Sequence, residues 1–128
     1  MMKTTQVKIG KRTFALLYNY AALCRLEELA PDFTLDKAAE MLNRPSGLRV
    51  MLLAAIEQGE KEEGRKPDID LEWLGKHLPI APVRLVEIQV AAMNALADGL
   101  RMETDQDGDD QERDVVLDEI KKKEPTGG

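Results

Sequence analysis

The residues able to carry out nucleophilic, acid–base or metal chemistry are few and scattered along this 128-residue chain. There is one cysteine, Cys24, and one histidine, His77. A single thiol excludes an internal disulfide and a cysteine-rich zinc site, and a single imidazole leaves no second histidine to complete a metal site. We therefore expect Cys24 to be a small buried side chain and His77 to be a structural residue near a helix C-terminus. No cofactor is predicted.

Closely spaced aspartates near the C-terminus suggest calcium, but their register is wrong for an EF-hand loop. That loop needs glycine at position 6 and a glutamate at position 12. Counted from Asp105, glycine falls at position 4 and Val116 at position 12. Gly59 and Gly64 also lack the lysine and hydroxyl residues of a phosphate-binding loop. The sequence therefore predicts neither a metal site nor an enzyme.

Charge is distributed very unevenly along the chain. Residues 102–128 contain ten acids and four bases, and the remaining residues contain 14 of each, so the C-terminal segment carries the whole net charge of -6. A neutral body lacks the self-repulsion that keeps proteins apart, which favours association. Neither part has the basic stripe of a nucleic-acid binder. No apolar run reaches the ~18–20 residues of a membrane span, and residues 1–8 lack the apolar run of a secretory signal.

Hydrophobic periodicity predicts a mainly α-helical fold of about five helices with a short N-terminal β-hairpin within residues 7–16. The predicted helices are 19–30, 34–42, 48–58, 70–78 and 82–100. In the second helix, Leu35, Ala38, Ala39 and Leu42 are expected to face inward. Residues 59–66 are predicted to be a fraying helix end followed by a loop, and residues 99–111 a disordered linker, because both segments are charged and contain glycine. We expect two parts: a helical domain over 1–101, and an acidic linker with a short helix at 114–123 over 102–128, partly disordered.

Two apolar stripes run along the last predicted helix and together cover roughly 240° of its circumference. One stripe is Val83, Val86, Val90, Met93, Ala97 and Leu100, and the other is Leu85, Ile88, Ala92, Ala95 and Leu96. Either this helix runs through the middle of the fold, or one stripe meets another molecule, and the sequence leaves both alternatives open. The partner-binding candidates from the two stripes are Leu85, Val86, Ile88, Val90, Ala92, Met93, Leu96 and Ala97.

The order of these segments is similar to that of a known family. The similarity rests on the opening at 7–16, a helix ending at 26–29, Thr34-Leu35, a Leu/Ala-rich helix at 48–56, the segment 69–74 and the long Val/Ala-rich helix. Over residues 7–100 the chain resembles the tail assembly chaperones of long-tailed bacteriophages and of the related gene transfer agents. The resemblance implies a mostly helical protein of the host cytoplasm that is absent from the mature virion.

The resemblance also implies partners. The family binds the tape measure protein, a very long and largely helical chain, and keeps it soluble until the tail tube closes around it. Self-association is expected, with the tail tube protein as a further candidate partner and no nucleic acid or membrane. Met51 and Met93, two of six methionines, are expected to supply adaptable contacts. Many members have an extended form made by programmed frameshift, for which Lys121–Lys123 could mark a slippery stretch; the plain alternative is three surface lysines.

Three other functions are compatible with the same composition. The chain could be an acidic helical regulator that mimics nucleic acid through its C-terminal charges. It could be a helical enzyme, which would require a polar pocket with perturbed titrating groups. It could also be a structural phage component, such as a head–tail joining protein.

Overall fold

A computed structural model of the chain describes the backbone of residues 4–109 and the side chains of residues 4–101. The fold is mainly helical with a two-stranded antiparallel hairpin at the N-terminus, as the sequence predicts. The elements are β1 (Thr5–Ile9), β2 (Arg12–Leu16), α1 (Tyr20–Leu29), α2 (Ala38–Leu42), α3 (Pro45–Glu62), α4 (Leu71–His77) and α5 (Pro82–Asp109).

The hairpin forms because a two-residue turn separates two short runs of alternating polarity. Gly10 occupies the turn with φ of 63°, a backbone conformation that the tight turns of hairpins require and glycine adopts without strain. Val7 pairs with Phe14, and both side chains are buried. After β2 the chain remains tied to α3, because the Leu17 amide donates to the Ala55 carbonyl at 3.1 Å.

The helix α3 is the centre of the fold. Its six consecutive residues 51–56 are all buried, so it is covered around its whole circumference there. It packs against β2, α1, α2 and α4. Pro45 suits the first turn of a helix, where its missing N–H is not needed, and α3 therefore begins three residues before the predicted start at Leu48.

Residues 59–66 are predicted as a fraying helix end and a loop, and the structure continues α3 through residues 59–62, four residues beyond the predicted helix end at Gln58. Gly59 lies inside the helix because β2 crosses it there, and a Cβ on this residue would lie 2.1 Å from the Ala15 carbonyl oxygen. The next residue, Glu60, is buried and accepts hydrogen bonds from the Ala15 amide at 2.8 Å and from Arg65 Nε at 2.8 Å. Gly59 therefore allows β2 to approach α3 closely, and the Glu60 carboxylate links the hairpin to α3 through its hydrogen bond from the Ala15 amide.

The segment predicted as one helix over 34–42 is a 3-10 turn at Leu35–Lys37 followed by the short helix α2. Ala38 and Leu42 are buried as predicted, but Leu35 and Ala39 are exposed, which corrects that part of the prediction. The 3-10 turn has about 3.0 residues per turn instead of 3.6, so Leu35 is not in register with α2. Within α2 the buried positions Ala38 and Leu42 are four residues apart, which places Ala39 about 100° to one side of them. The α1 helix follows its prediction closely, with an N-cap hydrogen bond from the Ala22 amide to Asn19 Oδ1 at 2.9 Å.

The last two helices, α4 and α5, begin within one residue of their predicted starts. Asp70 Oδ1 accepts from the Trp73 amide at 2.8 Å at the start of α4, and Pro82 opens α5. The predicted linker over 99–111 is wrong up to Asp109, because the backbone stays helical to that residue. Glycine weakens a helix but does not break it, and no proline occurs between Pro82 and Pro125.

The chain separates into two compact units, and the boundary between them lies between Asp98 and Gly99. The first part holds the hairpin, α1 to α4 and α5 through Asp98; the second part has helical backbone through Asp109. The predicted boundary after residue 101 stays a prediction. The predicted helix at 114–123 lies outside the described residues.

Candidate functional site

The helix α5 uses one of its two apolar stripes to join the core of its own fold. Ile88, only 4% exposed, belongs to the main cluster of buried side chains, as do Ala92 and Ala95. Leu85 and Leu96 are half-buried against that cluster. The two small alanines let the helix approach the domain closely, and Gln89 Nε2 donates to the Leu42 carbonyl at 3.1 Å beside them. This face is therefore structural.

The other stripe faces solvent. Val83 is 72% exposed, Val86 51%, Val90 49% and Met93 42%, and Ala97 is also exposed. At 100° per residue, Val86 and Val90 each lie about 200° around the helix from Ile88, so the two stripes are on opposite sides. The alternative in which α5 runs through the middle of the fold is therefore wrong. We call Val83, Val86, Val90, Met93 and Ala97 the outer stripe.

The eight residues predicted as partner-binding candidates are thus divided into two groups. Val86, Val90, Met93 and Ala97 lie on the outer stripe and are accessible to another molecule. Leu85, Ile88, Ala92 and Leu96 lie on the inner side and pack within their own domain. Of the two methionines expected to be adaptable, Met93 is accessible, whereas Met51 is fully buried in α3, which corrects its expected role.

The outer stripe has the energetic character of an interaction surface. Full burial of a valine or methionine side chain is worth about 1.5–3 kcal/mol, so covering a half-exposed one would contribute about 1 kcal/mol. The four side chains Val83, Val86, Val90 and Met93 would together contribute about 4 kcal/mol, before the entropy cost of association is subtracted. The stripe alone therefore supports a weak, reversible contact, and a longer partner would have to add area.

Few charges border the outer stripe. Glu87 lies on one edge and is held by Arg84 on the same helix at 3.8 Å, and the neighbouring Asn94 is uncharged. Asp98 receives a hydrogen bond from the Thr5 hydroxyl at 3.5 Å. An apolar partner surface could therefore approach Val86 and Val90 without forcing a charge out of water, which would be costly.

A second apolar surface lies at the start of α5, and the sequence analysis did not find it. An open groove of about 550 Å³ is formed by the beginning of α3, the end of α4 and the segment that joins α4 to α5. Its lining residues are Pro45, Ser46, Leu48, Arg49, Gly75, Leu78, Pro79, Ile80 and Leu85. Ile80 is 94% exposed at its edge. The only sequence signal was Ile80 itself, an apolar residue between two prolines in the short segment that joins two predicted helices.

Cys24 and His77, the described residues singled out for chemistry, lie on different helices, α1 and α4. Cys24 is exposed, which corrects the expectation that it is buried. It lies about 200° around α1 from the buried Ala22 and Leu26, so it must face outward. His77 is in the last turn of α4, where it stacks on Trp73 at 4.0 Å and its Nδ1 lies 2.8 Å from the Trp73 carbonyl oxygen. Within residues 4–101, no three His, Cys, Asp or Glu side chains are grouped to hold a metal ion.

The perturbed titrating groups stabilise the fold. Hydrogen bonds from Arg65 lower the pKa of Glu60, and the hydrogen bond from Arg12 lowers the pKa of Asp68. Burial raises the pKa of Tyr18, whose hydroxyl donates to the Met51 carbonyl at 2.8 Å. Each of these groups has a hydrogen-bond partner within the fold, and none lines the groove or the outer stripe.

No family model, curated protein or solved structure matches this chain. In the part of the chain that the structure describes, every helix is too short or too polar to cross a membrane.

Proposed function

We propose that this protein is a chaperone that holds an amphipathic helical client on the outer stripe of α5. The observation that carries the proposal is the exposure of Val83, Val86, Val90 and Met93 on the side of α5 opposite to its buried face. These residues and Ala97 are spaced 3, 4, 3 and 4 apart, the spacing by which one helix packs along another. A client helix with an apolar stripe of its own would cover the surface.

Within this class, the particular function we propose is that of a bacteriophage tail assembly chaperone. Its client would be the tape measure protein, which it would keep soluble in the host cytoplasm during assembly of the tail tube without entering the mature virion. The resemblance over residues 7–100 supports this choice, together with the exposed stripe. Self-association, a contact with the tail tube protein and an extended frameshifted form belong to the same proposal.

Two further features fit a protein that holds an aggregation-prone client. Met93 lies in the middle of the outer stripe, and a flexible thioether side chain can repack against different apolar partners. The ten acids of residues 102–128 would keep the complex in solution by charge repulsion. The outer stripe would then bind the client, and the acidic segment would keep the complex in solution.

The experiment that tests the proposal is co-expression of the full chain with the tape measure protein proposed as its client. Val90→Asp places a charge in the middle of the outer stripe and should abolish co-purification and leave the client insoluble. The matched control is Asn94→Asp, which adds the same charge to an exposed position just beside the stripe on the same helix. Both variants should keep the wild-type circular dichroism spectrum.

Three outcomes would contradict the proposal. Co-purification and client solubility at the wild-type level in Val90→Asp would show that the outer stripe does not hold the client. Loss of activity on deletion of residues 102–128, with the stripe variants fully active, would favour the acidic regulator. Recovery of the protein in purified phage particles would favour a head–tail component.

A further inference from the structure

The groove at the start of α5 contains a cation in an apolar setting. Arg49 is half-buried among Leu48, Leu78 and Leu85, and none of the lining residues described is acidic. Within residues 4–101, no carboxylate lies within ion-pair distance of its guanidinium group. Its hydrogen bond is a long one, from Nη1 to the Leu71 carbonyl at 3.4 Å. Since a guanidinium carries five N–H donors, most of its capacity remains available.

The fold makes room for this cation. Gly75 lies inside α4, where a glycine stabilises a helix less than alanine does. A Cβ at this position would lie 3.2 Å from Arg49 Nη1 and 3.9 Å from Arg49 Cδ, so a larger residue would crowd the arginine side chain. The guanidinium therefore lies close against α4 in the groove, and Ile80 forms an exposed apolar edge.

We propose that this groove binds a protein segment in which an apolar side chain stands next to an aspartate or glutamate. The apolar side chain packs between Leu78, Ile80 and Leu85, and the carboxylate accepts a paired hydrogen bond from Arg49. A guanidinium and a carboxylate match in this two-pronged geometry, and a partly buried site strengthens the pair. The proposal does not rest on the client function of the outer stripe.

The groove and the outer stripe differ in charge, so they are expected to bind different ligands. The groove contains Arg49 and no acid, whereas the outer stripe consists of apolar residues and the neighbouring Glu87 is paired with Arg84. An acidic apolar segment therefore suits the groove better than the stripe. The protein would then have two docking surfaces of different charge on opposite sides of α5, since Leu85 faces inward and Val83 outward.

The test is nuclear magnetic resonance titration of the full chain with two short synthetic peptides. One contains glycine, leucine and glutamate, and the other has lysine in place of each glutamate. The acidic peptide should shift the signals of the Gly75 and Ile80 amides and the Arg49 Nε–H saturably. It should bind about tenfold more tightly than the basic peptide, the discrimination expected from one charge-assisted pair.

Two arginine variants test whether Arg49 is the residue that binds the carboxylate of the acidic peptide. Arg49→Gln keeps a polar side chain but removes the charge, and it should weaken the acidic peptide about tenfold and erase the preference for it. Arg44→Gln is the matched control, because Arg44 is an exposed arginine just before α3 that does not line the groove. Val90→Asp should leave peptide binding unchanged, so failure of the client function and failure of this proposal are distinguishable.

Several results would overturn the proposal. Equal binding of the two peptides, or an undiminished preference in Arg49→Gln, would show that Arg49 does not recognise a carboxylate. Absence of shifts in the groove with either peptide would show that the groove is not a docking site. Saturation by sodium decanoate without any peptide binding would identify a site for a lipid rather than for a protein segment.

Discussion

The helices α3 and α5 are the two long apolar helices of this protein, and they occupy opposite environments. In α3, six consecutive residues are buried, because β2, α1, α2 and α4 pack around it. In α5, burial follows one face, and the equally apolar opposite face is exposed. The apolar width of a helix therefore does not determine whether it lies at the centre. The number of elements that pack around it does.

The largest expected effect contrasts the two faces of α5. Ile88→Asp would bury an unpaired charge in the core and should cost more than about 4 kcal/mol, enough to unfold a marginal domain. Val90→Asp should change the free energy of unfolding by less than about 0.5 kcal/mol, because the site is half-exposed. Urea unfolding followed by circular dichroism measures both. Similar losses in the two variants would mean that the outer stripe is covered within the same molecule.

The second comparison is between a side chain of α3 and one of the outer stripe. Leu52→Ala should cost about 3 kcal/mol, since Leu52 is fully buried and truncation leaves a cavity. Val86→Ala should cost less than about 0.5 kcal/mol, because solvent already reaches this side chain. Thermal unfolding of both variants gives the difference directly. A costly Val86→Ala would contradict the assignment of the two environments.

The third comparison concerns one carboxylate on each helix. Glu60→Gln on α3 should cost about 1–2 kcal/mol, because it weakens the bonds to Arg65 and to the Ala15 amide. Glu87→Gln on α5 removes only an exposed pair at 3.8 Å and should leave stability unchanged. Denaturant unfolding at neutral pH distinguishes them, and equal effects would show that Glu60 does not fasten the hairpin.

The Glu60 contribution should also depend on pH. Its pKa in the folded state is lowered, chiefly by hydrogen bonds from Arg65. The stabilisation is therefore present above the ordinary glutamate pKa of about 4.3 and is lost as the pH falls through the lowered value of the folded protein. The wild type and Glu60→Gln should converge in stability in that acidic range. A difference that stayed constant with pH would point to packing instead of charge.

The smallest effect compares two tyrosines. Tyr18→Phe removes the buried hydrogen bond to the Met51 carbonyl of α3 and should cost about 1 kcal/mol. Tyr20→Phe should have no measurable effect, because Tyr20 is exposed. Thermal unfolding of the two variants in the same buffer is the measurement. If both were neutral, the anchoring of the segment after β2 to α3 would rest on its backbone hydrogen bond alone.

Local signals predicted where several helices begin. Asn19, Asp70 and Pro82 stand at the predicted starts of α1, α4 and α5, and the first two cap their helices through their side chains, because capping depends on a few adjacent residues. Boundaries that depend on distant contacts were not predictable. Gly59 indicated a fraying helix end, but the helix continues through it, and the absence of a side chain leaves the space in which β2 crosses α3.

The candidate surfaces show the same limit. The two stripes of α5 were evident from spacing, but four of the eight predicted partner-binding residues lie on the buried side. The groove around Arg49 was not evident, since it combines residues from α3, α4 and the start of α5 that are distant in sequence. No periodic pattern in one segment reports a site that three segments build together.

By itself, the sequence determined the mainly helical class, the hairpin, the capped helix starts and the concentration of acidic charge after residue 101, because each depends on neighbours along the chain. Only the tertiary structure decided that α3 is central, that Val86 and Val90 face solvent, and that Arg49 lies in an apolar groove. Burial is a property of how the elements pack, and two stripes of equal hydrophobicity become different only when one of them meets the rest of the fold.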